Sequence, residues 1–125
     1  MKNKLLQQER GRTYAIVMET GDEVVGCLTA FARHEGLSRA EFSGLGGLRE
    51  VLLGCFEIDG RTLVSVPLSE PVGVTSLVGN IALSNGEPQV DPHAVVRKSD
   101  GSAWGGRLLQ GHACPSLEIL LNASD

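Results

Sequence analysis

The sequence predicts an α+β domain: an antiparallel sheet of roughly eight strands with one main amphipathic helix on a face. Short runs rich in β-branched and aliphatic residues recur along the chain, separated by turn-forming pairs. Only residues 22–35 carry apolar side chains at helical spacing. A chain of 125 residues also supports one core but not two.

Residues 1–12 are polar and are expected to form a flexible lead-in to a domain spanning 13–122. The run TYAIVM at 13–18 predicts the first strand. Thr20 and Glu23 then stand at capping-box spacing, which satisfies free backbone N–H groups at a helix start. Val24, Leu28 and Phe31 repeat at helical spacing, and Val25 and Ala32 widen the stripe. Gly36 supplies a left-handed stop after Glu35, and Leu37 is placed to fold back on the last turn.

Beyond the helix the period changes to two. Residues 40–43 predict a short strand, Gly44-Leu45-Gly46-Gly47 a turn, and residues 48–58 a longer strand. Asp59-Gly60 is a hairpin signal, because a type I′ turn needs positive φ at both central positions. Its partner is expected over 62–66, broken by Pro67. Strands at 74–83 and 90–97 flank a second hairpin turn, Asn85-Gly86. After the turn at 99–102, strands are expected at 103–113 and, past Pro115, at 117–121.

Composition narrows the function classes. The net charge is −4, and the basic residues gather only weakly, near the N-terminus and at Arg97-Lys98. A domain that binds nucleic acid unaided normally shows a basic face, because phosphate neutralisation supplies most of its affinity. Cys27, Cys55 and Cys114 are far apart, and no C-x-x-C pair exists, which excludes a zinc ribbon and a thioredoxin-type site. They are expected to be reduced structural thiols. The N-terminus lacks the apolar segment of a signal peptide, and no apolar run reaches the ~18 residues of a membrane span. A cytoplasmic location with no membrane partner is the expectation.

Asp91 and His93 are the chief candidates for chemistry. At i and i+2 of a strand they project from one face, a spacing that suits two ligands of one metal ion. A third ligand is the difficulty. His34 closes the helix, where a cation complements the dipole. His112 lies five residues from Arg107, which puts the two on opposite faces of a regular strand. Arg107 follows Gly105-Gly106, a pair that lets backbone or ligand approach closely. Its guanidinium suits a carboxylate or phosphate, or a salt bridge to Asp91 or another carboxylate within a subunit contact. Trp104, the sole tryptophan, is expected to pack at a subunit edge. The glycines at 44–47 join two apparent strands and lack the Gly-Lys-Ser/Thr ending of a phosphate loop, so a structural bend is expected there. No catalytic residue is assigned.

The segments YAIVMETGDEVVGCLTAFARHEGLSRAEFSGLGGLREVLLGCFE, VTSLVGNIALSNGEPQVDPHAVV and GGRLLQGHACPSLEILL, in that order, resemble the plants-and-prokaryotes conserved (PPC) domain over residues 14–121. The resemblance implies a homotrimer and a fold similar to a domain of α-acetolactate decarboxylase, a zinc enzyme. Plant members join the domain to AT-hook segments in nuclear DNA-binding proteins, and stand-alone prokaryotic members carry the DNA-binding label by analogy. Here Arg10-Gly11-Arg12-Thr13 lacks the proline of an AT-hook, and PVGVTS (Pro71 to Ser76) replaces the plant GRFEIL stretch. Many bacterial and archaeal members carry His-x-His at the position of Asp91-Pro92-His93 and Gly-Gly-His at Gly105-Gly106-Arg107. Those histidines look like the family's metal ligands. Aspartate still ligates zinc, but arginine does not, and its fixed charge repels a cation.

The reading that follows is a non-enzymatic homotrimeric interaction or regulatory module, with an anion pocket at Asp91, His93 and Arg107 and no cofactor. DNA is expected to bind only weakly or through a basic partner. The alternative is a metal-dependent lyase or hydrolase using zinc on Asp91 and His93.

Overall fold

A computed structural model describes residues 1–8, 11–56, 60–61 and 63–124. In chain order the elements are β1 (Lys2–Gln7), β2 (Arg12–Glu19), α1 (Val24–Glu35), β3 (Arg39–Phe56), β4 (Leu63–Leu68), β5 (Val72–Ser84), β6 (Glu87–Arg97) and β7 (Ala103–Ser124). The sheet has seven strands among the described residues, all paired antiparallel, with one helix.

The count differs from the expected eight for a physical reason. The segments 40–43 and 48–58 belong to one bent strand, β3, and 103–113 and 117–121 to another, β7. The segment at 44–47 is therefore not a turn. It holds a bulge, with register shifts on both flanks of Gly46. Gly46 has φ 144, and a Cβ there would run into the carbonyl of Ser116 on β7, so a side chain is excluded on two counts. In β7 the peptide before Pro115 is cis, and pairing continues on either side of it.

The N-terminal segment contributes a strand that its polar sequence does not announce. Residues 2–7 pair with β2 as an edge strand, although all six are exposed. Pro67 does not break β4. It pairs opposite Leu52 on a strand with one neighbour, the edge setting in which proline is tolerated. Residues 57–59 and 62 lie outside the described residues, and with them part of the expected Asp59-Gly60 hairpin. The second hairpin stands: Asn85 and Gly86 both have positive φ, and Ser84 pairs with Glu87.

β3 pairs with β5, β5 with β6, β6 with β7, and β7 again with β3, so these four strands close a ring. Closure removes most of the edges that otherwise invite aggregation. β7 meets β6 through residues 103–107 and β2 through 116–123. Between those stretches the start of α1 docks. Gly21 N–H donates to the Ala113 carbonyl, Ala113 N–H donates to the Asp22 carbonyl, and Gly111 N–H donates to Glu23 Oε2.

Glu23, expected inside the first turn, is itself the N-cap. Its carboxylate accepts from the N–H groups of Val25 and Gly26, while Thr20 donates to the Pro115 carbonyl instead. The stop is as expected: Gly36 has φ 65, and Leu37 is buried with its N–H on the Ala32 carbonyl. Val24, Leu28, Phe31 and Ala32 face a core of Ile16, Met18, Leu48, Leu53, Leu77, Ile81, Leu108, Leu117 and Leu121. Alternation slips at the bulges. In β7 both Leu108 and Ala113 are buried, so Arg107 and His112 share the outer side despite their odd spacing.

At the far end of the helix Tyr14 lies edge-on to Phe31, with ring centroids 4.9 Å apart. Its hydroxyl donates to Glu35 Oε1 at 2.9 Å and accepts from Arg12, whose guanidinium also reaches the Glu35 carbonyl. His34 contacts Glu35 Oε2 at 2.9 Å. The Tyr14 hydrogen bond, then the one from His34, hold the Glu35 carboxyl below its usual range. A depressed carboxyl adds stability above its unfolded pKa and loses it as pH falls through the folded value. Thermal melts should therefore show Glu35→Gln less stable than the parent at pH 7, by about 1 kcal/mol, with the gap closing below about pH 4.

Candidate functional site

The strand alternation that buries Val90, Pro92, Ala94 and Val96 turns Asp91 and His93 outward from β6, as their spacing predicts. Cross-strand register supplies the third group. His93 stands opposite Arg107 on β7, and Arg107 in turn opposite Gly54 on β3. The three expected residues thus converge. Arg107 Nε lies 3.2 Å from Asp91 Oδ1, and His93 Nε2 lies 3.4 Å from the same oxygen. That oxygen is shielded from solvent, yet neither neighbour is aligned for a hydrogen bond, so the Arg107 contact is an ion pair and the His93 contact a close approach of ring nitrogen to carboxylate. The salt bridge weighed for Arg107 from the sequence is the one observed, within the subunit.

These residues line one wall of a pocket of about 460 Å³, with Gly54, Cys55, Leu63, Gly105, Gly106 and Leu109 on the others. The glycine pair admits protein backbone. A Cβ on Gly106 would sit 2.7 Å from the Gly54 carbonyl oxygen and 2.8 Å from Cys55 Sγ. Cys55 donates its thiol hydrogen to the Gly105 carbonyl at 3.1 Å. Cys55, Leu63 and Leu109 were not foreseen as site residues. Ordinary strand side chains carry no signal of their own in a sequence.

The other candidates separate. His112 lies 3.4 Å from Glu50, opposite Arg49, away from the Arg107 cluster. His34 closes the helix against Glu35. Trp104 is partly exposed, donates to Ser102 and carries the Lys98 ammonium 5.6 Å from its ring centre. The three cysteines are unpaired and part-buried, and burial pushes the Cys27 thiol up. Among the described residues no group of three or more His, Cys, Asp or Glu side chains is placed to hold a metal ion. A zinc ion does not fit the Asp91–His93 pair as it stands, because the guanidinium of Arg107 occupies the carboxylate and would repel the ion. Among the described residues no helix is long and apolar enough to cross a membrane.

A second feature lies on the outer side of the ring. Cross-strand pairing aligns Ala15, Leu120, Ser43 and Val78 in one row and Val17, Glu118 and Leu45 in the next. Leu45 is 64% exposed, Val78 51% and Leu120 45%, and they line an apolar trough in which Glu118 is the one charge among the described residues. The first row continues through Val78 to His93 and Arg107, so the trough and the pocket adjoin across β6.

Solved structures share the fold. A plant- and prokaryote-conserved protein of Pyrococcus horikoshii matches with a TM-score of 0.85 at 29% identity, over 99% of this chain and 82% of that one. A Bacteroides thetaiotaomicron protein, provisionally named as DNA-binding, matches with a TM-score of 0.85 at 23% identity, over 97% and 83%. A metal-containing protein of Archaeoglobus fulgidus matches with a TM-score of 0.85 at 24% identity, over 98% and 86%. No curated protein shows significant similarity to the chain. The family model of the Plants and Prokaryotes Conserved (PCC) domain matches residues 6–125, nearly the full length, and the chain belongs to that family.

Proposed function

We propose that the chain is a non-enzymatic interaction module that works as a homotrimer in the cytoplasm and holds a small anion beside His93 and Arg107. The apolar trough carries this reading. Exposed Leu45, Val78 and Leu120 on one strand face form a patch of the kind that marks a protein contact. A second and third copy are the occupants the family resemblance favours, and such contacts would cover Leu45, Val78 and Leu120. Arg107, tethered through Nε to Asp91, supports the anion.

DNA association, the label provisionally given to the Bacteroides relative, is proposed here only as weak binding or through a basic partner, since the chain carries a net charge of −4. The approach of His93 to Asp91 favours one alternative, a metal-dependent lyase or hydrolase, the class that the family resemblance implies. It ranks second because Arg107 occupies that carboxylate.

Light scattering at micromolar concentration should give three times the chain mass. The double variant Leu45→Lys, Leu120→Lys should give a monomer with unchanged far-ultraviolet dichroism, since like charges set together in an interface cost several kcal/mol. A monomeric parent protein would refute the proposal. In mobility-shift titrations, any complex with duplex DNA near 50 mM salt should vanish by about 200 mM. A complex that survives would show strong direct binding and contradict this reading.

A further inference from the structure

We propose that the pocket between β3, β6 and β7 takes a small monocarboxylate with an apolar body; this rests on the anion reading of Arg107 given above. The pocket is divided chemically. One wall holds Asp91, His93 and Arg107, and the rest is Leu63, Leu109, Cys55 and three glycines. Its volume, about 460 Å³, lies in the range of small-molecule sites, which are mostly apolar with a few convergent polar groups.

The polar wall selects the head group. Asp91 holds Arg107 by Nε, at one side of the guanidinium. Among the described residues no other carboxylate pairs with this arginine. Its remaining N–H groups form a planar fork that matches a carboxylate. His93, opposite Arg107 in register, brings a ring nitrogen to the same wall. The single guanidinium is already shared with Asp91, so one negative charge is matched better than the two of a phosphate monoester. An ammonium group would face the guanidinium and is excluded.

The apolar walls select the body. Leu63 is 53% exposed on the edge strand β4, and Leu109 flanks Gly54 from β7. The glycines at 54, 105 and 106 keep the floor free of side chains. An alkyl chain of a few carbons would cover Leu63 and Leu109, while acetate would leave them wet. No covalent step is involved, since Cys55 is engaged with the Gly105 carbonyl.

Calorimetric titration of the full chain with hexanoate, acetate, hexyl phosphate and hexylamine tests the assignment. Hexanoate should bind at least about 10-fold more tightly than acetate, given the favourable transfer of each buried methylene, and hexylamine should not bind. Arg107→Gln should weaken hexanoate by about 10-fold or more, the loss expected for a charge-assisted hydrogen bond. Leu63→Ser, a change at an exposed position that leaves Arg107 untouched, should weaken hexanoate about 3-fold and leave acetate unchanged. Equal binding of acetate and hexanoate overturns the apolar body and leaves the anion reading standing. Tighter binding of hexyl phosphate overturns the single charge. No binding of any anion, or hexanoate binding indifferent to Arg107→Gln, overturns the pocket and the anion reading together.

Discussion

The pairing of β3 with β7 governs this molecule. The two strands run together from Arg39 opposite Ser124 to Gly54 opposite Arg107, and each bends over that length. Such a bend needs residues that relieve the ladder without ending it. Gly46, with its positive φ and its approach to the Ser116 carbonyl, is one of them. Because the pairing persists through the bend, β5 and β6 can close the ring from the other side, and the aliphatic core is enclosed with a single helix as its lid. With few aromatic side chains, the core depends on many Leu, Ile and Val residues meeting closely.

The same pairing assembles the site. Arg107 is the residue at which β7 is flanked by both β6 and β3, so one position brings His93, Gly54 and the strand carrying Asp91 together. The proposed chemistry then turns on the residue types at positions 91 and 107, above all on Arg107. On the family resemblance a neutral imidazole at residue 107 would add a metal ligand, whereas the guanidinium here pairs with the Asp91 carboxylate and leaves the rest of its fork for the proposed anion. The apolar trough next to it, along one cross-strand row, places this pocket beside the proposed contact with other copies.

Much of this was legible from residues alone, and the gaps have physical causes. The helix was plain because periodicity, a left-handed glycine stop and an apolar return at Leu37 agree. Its first turn was misassigned because Thr20 and Glu23 both have capping chemistry, and only the contact of Thr20 with Pro115 shows which of them caps. β3 and β7 were divided because glycine and proline mark bends inside strands as well as turns between them. β1 carries no alternation, being exposed on both faces and held by its backbone ladder. At the site, the i, i+2 spacing of Asp91 and His93 was visible, but their meeting with Arg107 depends on register between β6 and β7. The floor at Gly54 and Cys55 depends on register between β3 and β7.

The central claim, that Arg107 makes the pocket unsuited to a cation, is tested most directly by zinc competition against a chromophoric chelator. The purified chain is compared with its Arg107→His variant. Only the variant should hold stoichiometric zinc at micromolar free metal, because the restored imidazole both releases Asp91 and supplies a third ligand. One tightly held zinc ion per chain in the unaltered protein, with no gain in the variant, would contradict the account.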